Sequence, residues 1–197
     1  FKIVFTGNIG TAQGLDILPR TANELRNFFD SHNGERKFRF VIVGDGRYQR
    51  ELEKEIERWG VRDSFIRIPR QPAEMIPSIL ACCDAAFLSF NSTKLWEMTI
   101  PAKLQSYMAC GMPIIAAAKG ETERVIREAE CGICCPIGDS KKLAEGIRKI
   151  AGSDLKAMSA NGQAYCREHF NKAELMDRMD EEIMRAVQKA GNKRCVQ

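Results

Sequence analysis

Histidine is scarce in this 197-residue chain, which has only His32 and His169. Both sit in helical, polar stretches, so no Ser-His-Asp or Cys-His nucleophilic pairing is present. Scarce histidine also argues against zinc. The gap between Cys131 and Cys134 fits a zinc half-site, but no second Cys/His pair with ligand spacing accompanies it. No Asp-rich metal motif exists either, and no bound metal is expected. Long apolar runs are missing: none reaches about 18 residues, roughly what a bilayer span needs. No stretch reads as a secretory signal. An excess of either charge is missing too, with 30 Lys and Arg against 26 Asp and Glu and a net charge of +4. The basic residues are scattered, which excludes a nucleic-acid partner and leaves a solvated surface mildly suited to an anionic ligand or a membrane surface. Internal repeats and low-complexity tracts are absent.

What is present begins with eight cysteines, most of them inside apolar runs such as "ILACCDAAFL" and "CGICCPIG". There cysteine acts as a small hydrophobe. Reduced core thiols imply a reducing compartment, so the expected location is cytoplasmic. Hydrophobic residues make up 44% of the chain, enough for a domain with a full core. The opening "FKIVFTG" enters a strand with no lead-in, so the chain is expected to be part of a longer protein whose N-terminal portion precedes it.

Short β-branched runs alternate with helical patterns. Strands are expected at 2–7, 38–46, 64–69, 84–90, 113–118 and 131–138. Helices are expected between them, among them one with Leu15, Leu18, Ala22, Leu25 and Phe28/Phe29 at helical spacing and another over 47–60 closed by Gly60. A short helix follows the third strand with Pro77 in its first turn. From Asp139 the chain is helical, over 140–151, about 154–169 and about 172–190. Strands alternating with helices predict an α/β fold, a doubly wound Rossmann-like parallel sheet of about six strands with a C-terminal helical tail. The tail is not needed for the sheet, and is expected to pack on the domain or toward a missing part.

Ligands of such sheets lie outside the carboxyl ends of the strands, near the point where strand order reverses. After strand one comes "TGNIGTAQG". Its Gly7, Gly10 and Gly14 let backbone N–H groups approach a phosphate, or serve turn geometry alone. The spacing is neither a P-loop nor the GxGxxG of a generic NAD-binding domain. Gly44-Asp45-Gly46 reads as a tight turn. Asp84 and Asp139 bound strands and read as turn or cap residues.

The stretch "IPAKLQSYMACG" (100–111) says more. Pro101 is expected as the first helical residue and Gly111 as the end. Leu104, Tyr107 and Met108 share a core-facing stripe, and Lys103 and Ser106 share a neighbouring face. A lysine in the first turn opposes the helix dipole by roughly 0.3–1 kcal/mol. Either an anion sits there, held by free N–H groups and the ammonium, or a surface lysine is tolerated at that small cost.

Together "FTGNIGTAQGLD", "FVIVGDG", "IRIPRQP", "CDAAFLSF", "IPAKLQSYMACGMPIIAAAKGE" and "EAECGICCPIGD" make the chain resemble, over roughly residues 3–150, the C-terminal nucleotide-sugar-binding domain of GT-B glycosyltransferases of family GT4 (glycosyl transferases group 1). The pattern is most similar to the branch building bacterial surface polysaccharides, such as aminosugar or fucosamine transferases. The resemblance implies residues 1–153 as the donor-binding domain. It implies 154–197 as helices packing on that domain or toward a missing N-terminal acceptor domain. It also implies a retaining transfer from a UDP- or other NDP-sugar to an acceptor, a lipid-linked polysaccharide precursor, without a cofactor or metal. The full protein would then associate peripherally with the inner face of the membrane, and the fragment alone would transfer nothing.

By the same resemblance, the diphosphate would meet Gly7, Asn8, Gly10, Gln13 and Lys103, with Lys103 stabilising it as leaving group. Arg70 and Gln71 would meet the base. The glycosyl unit would lie near 94–100, with Thr99 and Ile100. Departures are plain: Asn8 and Gln13 stand where relatives carry Arg and Lys, and Ser106 and Met98 where relatives carry glutamates. Ser106 would then be the ribose contact, with Glu97 or Glu121 as substitutes. A UDP-sugar 2-epimerase of GT-B type and a degenerate, non-catalytic sugar-nucleotide-binding module are the alternatives.

Overall fold

The first strand, β1 (Lys2–Thr6), sets the plan of the molecule: Ile3 and Phe5 are buried on one side and Val4 on the other. A strand apolar on both faces must be covered on both. In this computed structural model, which describes residues 1–30 and 38–194 and the side chains outside 27–30 and 190–194, helices do so. Phe28, Phe29, His32 and Cys195 lie outside the described side chains. The helix α1 (Ile17–Asp30) leads to β2 (Arg39–Val43), α2 (Gln49–Arg58), β3 (Phe65–Ile68), α3 (Ile76–Ala81) and β4 (Ala85–Ser89). Then come α4 (Lys94–Glu97), α5 (Ala102–Ala109), β5 (Ile114–Ala117), α6 (Glu121–Glu128), β6 (Gly132–Cys135), α7 (Ser140–Ala151), α8 (Leu155–His169) and α9 (Lys172–Arg194).

All strand pairs are parallel and run in the order β3-β2-β1-β4-β5-β6, the doubly wound Rossmann arrangement. The six expected strands form, the first shorter at its C-terminal end only and the others at both ends. Order reverses between β1 and β4. There the register holds only Ile3 against Ala85 and Val4 against Ala86, while β1 stays paired with β2 as far as Thr6 against Val43. One apolar layer joins Ile3, Phe5, Phe40 and Ile42 to Leu18, Leu52 and Ile147. The other joins Val4, Val41 and Leu88 to Leu104, Tyr107 and Met108. α5 therefore packs through the stripe that its sequence spacing predicts.

Two boundaries differ from expectation. Pro101 is the N-cap of α5, not its first helical residue: its ψ of 144° is extended, and helical geometry starts at Ala102. Lys103 stays in the first turn. The stretch 91–99 between β4 and α5, where no helix is expected, holds the one-turn α4, which is too short for a periodic signal. Thr93 caps it, its Oγ1 3.5 Å from the Trp96 N–H, and the Trp96 ring stacks on Phe90 at 4.6 Å. Asp139 is a cap as expected, with Oδ1 accepting the Lys142 N–H at 2.9 Å, worth about 1 kcal/mol. Asp84 receives the Lys2 N–H at 2.7 Å. Burial pushes the Cys131 and Cys135 thiols up to about 11 and Cys134 up to about 12. These act as core thiols, whereas Cys82 and Cys110 are exposed.

The tail has two parts. α8 lies on α5: Gly162 backs onto Met108 and Cys131, where an added Cβ would come within 3.1 Å of the Cys131 Cβ. Every described side chain of α9 is exposed, including Leu175, Met176, Met179, Ile183, Met184 and Val187, which recur at helical spacing. Among the described residues no helix is long and apolar enough to cross a membrane.

Candidate donor site at the strand carboxyl ends

The parallel sheet sends the ends of β1, β2 and β3 to one rim, and α5 points its N-terminus at the same rim. Between them lies a cleft of about 460 Å³. Its walls are Thr6 at the end of β1 with Gly7 and Asn8 beyond it, Gly44 and Asp45 after β2, Arg70 and Gln71 after β3, and Lys103 from α5. Val43 and Ile76 complete it. Residues from four separate segments thus converge where the fold predicts a ligand.

The first loop is built by backbone contact with the second. The Gly7 N–H donates to Val43 O at 2.9 Å, Ile9 N–H to Asp45 O at 2.6 Å, and Gly44 N–H to Ile68 O at 3.0 Å. Beyond Gly10 the chain makes a 3₁₀ turn, Thr11–Gln13, clasped by the loop after β4. There Asn91 donates its backbone N–H to Ala12 O at 3.0 Å and its side-chain amide to Thr11 O at 2.6 Å. Ser89 donates its hydroxyl to Gln13 O.

Lys103 is the centre of this geometry. Its Nζ donates to Gln13 Oε1 and lies 4.2 Å from the centre of the Phe5 ring. The side chain runs along Gly7, where an added Cβ would stand 3.6 Å from Nζ. No carboxylate of the described residues pairs with it. Burial pulls its pKa down to about 8, because a desolvated ammonium is disfavoured. A partly dehydrated cation thus stands at a positive helix end, held by a neutral amide and with no counter-ion among the described residues.

Of the sequence-derived residues, Gly7, Asn8, Arg70, Gln71 and Lys103 line the cleft. Gly10 and Gln13 stand behind it, Gly10 beside Asn8 and Gln13 on the lysine. Thr99 is tied elsewhere, its carbonyl accepting the Thr122 hydroxyl at 3.1 Å, and Ile100 packs into the core. Ser106 shares no cleft wall with Lys103; its hydroxyl is exposed and donates to Ala102 O at 3.0 Å within the helix. The Glu121 carboxylate is taken by Arg124 at 2.8 Å. Sequence spacing does not point to Thr6, Val43, Gly44, Asp45 or Ile76, which also line the cleft. The signal for Gly44 and Asp45 was the glycine pair at the end of β2, read as a turn. No group of three His, Cys, Asp or Glu among the described residues is placed to hold a metal ion.

The chain is similar in sequence and in fold to known proteins. A D-inositol 3-phosphate glycosyltransferase of Acidothermus cellulolyticus is 27% identical over 166 residues, covering 81% of this chain and 35% of that protein. A glycosyl transferase of Escherichia coli named for colanic acid biosynthesis is 29% identical, over 61% of this chain and 27% of its own length. Among solved structures, the Anabaena protein HepE, in complex with UDP, superposes with a TM-score of 0.78 at 20% identity, covering 93% of this chain and 48% of its own. The C-terminal domain of the Francisella tularensis protein LpcC, a glycosyl transferase group 1 family protein, superposes with a TM-score of 0.67 at 17% identity, over 87% of this chain and 86% of its own. The chain therefore spans about a third of the first relative and about half of HepE. Its sheet is the Rossmann-like half of a GT-B fold. The family model for glycosyl transferases group 1 matches residues 1–153, the span that carries every cleft residue, and the chain belongs to that family.

Proposed function

We propose that the chain is the donor-binding half of a retaining glycosyltransferase that moves a sugar from a UDP- or other NDP-sugar to an acceptor held by a further domain. The observation that carries this reading is Lys103, a partly buried cation with no counter-ion among the described residues, at the helix end facing Gly7. A diphosphate there would accept from the first-turn N–H groups of α5 and from the ammonium. The negative charge that grows on the leaving diphosphate as the glycosyl bond breaks would be stabilised where it develops, with no metal required. Arg70 and Gln71, across the cleft, are the proposed contacts of the base. The glycosyl unit is proposed to lie near residues 94–100, with Thr99 and Ile100. HepE, whose solved complexes hold UDP and UDP-glucose, supports a sugar nucleotide as ligand. The colanic acid relative supports a polysaccharide precursor as acceptor. On this reading the full protein works in the cytoplasm, at the inner face of the membrane.

Titration calorimetry on the chain tests the proposal. UDP is expected to bind weakly, in the range of about 0.1–1 mM, and no sugar transfer is expected from this half alone. No heat from UDP, GDP or another nucleoside diphosphate at millimolar concentration would overturn it.

The apolar stripe of α9 is proposed to pack on the acceptor half. The measurable consequence is that α9 adds nothing to the chain by itself. Deleting residues 171–197 should move the melting temperature by less than about 2 °C, since every described side chain of α9 is exposed and its loss uncovers little apolar surface of the domain. A fall of about 5 °C or more would mean that α9 folds back on this domain.

A further inference from the structure

We infer that Tyr107 is a positioning residue for the donor diphosphate, its hydroxyl holding the end of β1 and so setting where Gly7 meets Lys103. This rests on the donor-site reading above. β1 runs two residues, Phe5 and Thr6, past its last residue paired with β4. On the β4 side the strand is therefore open at the switch point, and the Thr6 N–H there needs a partner. The Tyr107 hydroxyl supplies it from outside the sheet. It accepts the Thr6 N–H at 2.9 Å and lies 3.2 Å from Thr6 Oγ1. The Tyr107 side chain is fully buried, and burial holds its pKa above the ordinary tyrosine value, so the hydroxyl keeps its proton and can donate to Oγ1.

The next residue along β1 is Gly7, the start of the cleft wall. On α5, Lys103 stands one turn before Tyr107, on the same face. One helix face thus touches the first segment twice, with Tyr107 on Thr6 and Lys103 along Gly7. Were the hydroxyl merely a core filler, any bond would do. Here it is spent on the last strand residue before the loop, and the same helix carries the cation.

Three measurements on the chain decide the matter. Tyr107→Phe should weaken UDP about tenfold and leave uridine within about twofold, because the base contacts lie across the cleft on Arg70 and Gln71. Thr6→Val, which removes only the Oγ1 contact, should act in the same direction by about threefold, and it stands in if Tyr107→Phe fails to fold. In the ligand-free chain, carbon NMR of labelled lysine should show the Lys103 midpoint move from about 8 toward the ordinary lysine value in Tyr107→Phe, as the loop loosens and water enters. Equal losses for UDP and uridine would reduce Tyr107 to a structural residue. An unchanged UDP affinity or an unmoved lysine midpoint would overturn its hold on the site. Should the parent chain bind no UDP, the donor reading fails, and the lysine midpoint alone still decides whether Tyr107 sets Lys103.

Discussion

Lys103→Ala is expected to cost the chain most of its UDP affinity, about 10- to 150-fold, while Lys119→Ala leaves it within about twofold. Removing a charge-assisted bond is worth about 1.5–3 kcal/mol, which sets that range. Lys119 is an exposed lysine at the end of β5, outside the donor cleft. Equal losses at the two lysines would end the special role of the α5 terminus. The same side chain predicts a pH dependence. Its amine titrates near 8 in the free domain, and a bound diphosphate, being anionic, raises that value. UDP affinity should therefore fall as pH rises from about 7 through 8, with proton uptake on binding near pH 8 measurable by calorimetry in two buffers. Stability runs the opposite way. The folded value lies below the unfolded one of about 10.4, so the unfolded chain binds the extra proton between those values. Stability rises with pH from about 8 to 10.4 and is lost again as pH falls through 8. At pH 7 the buried charge is a cost of up to about 3 kcal/mol. Lys103→Met, which keeps the stem and drops the charge, should raise the melting temperature at pH 7 and abolish the gain at high pH. A variant more stable than its parent and unable to bind UDP is what a functional cation held at structural expense predicts. A melting temperature unchanged at both pH values would show the lysine to be well solvated.

Lys103 was legible in the sequence because its oddity is local: a proline, then a cation, then a helical stripe. The six strands were legible for the same reason, as runs apolar on both faces separated by helical periods. What completes the site is not local. The amide that holds Lys103 belongs to Gln13, 90 residues away, and the hydroxyl that pins Thr6 belongs to Tyr107, 101 residues away. Tyr107 was placed in the core by its spacing, correctly, but spacing says nothing about where its hydroxyl points. Ser106 shows the converse. Its offset from Lys103 put both on one helical face, yet a serine can return its hydroxyl to the carbonyl four residues back, and this one does. Pro101 was placed one position too far into the helix because a proline at the N-cap and at the first helical position leave the same sequence mark.

Gly44 is the residue whose role the sequence hid most completely, and Gly44→Ala should be among the most damaging single substitutions in the domain. A turn glycine and a close-approach glycine look alike, since both follow a strand and precede polar residues. Gly44 has φ of +134°, where L side chains are strained. The strain is the lesser part. A Cβ there would lie 2.0 Å from the Gly7 carbonyl oxygen, a backbone atom that cannot swing aside as a flexible side chain would. Nor can either strand end retreat freely, because Gly7 is bonded to Val43 at 2.9 Å and Gly44 to Ile68 at 3.0 Å. Relief requires breaking bonds that hold the two cleft loops together. The expected loss is more than about 3 kcal/mol, or roughly 6–12 °C in melting temperature for a chain of this size. UDP binding should go with it, as Gly7 is pushed toward Lys103. Gly138→Ala is the control: its φ is also positive, at +77°, but an added Cβ meets nothing within 4 Å. That substitution should cost about 1 kcal/mol from conformation alone and leave UDP binding intact. If the two variants melt together, the contact between the first and second loops is looser than the bonds above require. A Gly44→Ala chain that still bound UDP normally would separate the diphosphate site from the junction of the first and second loops.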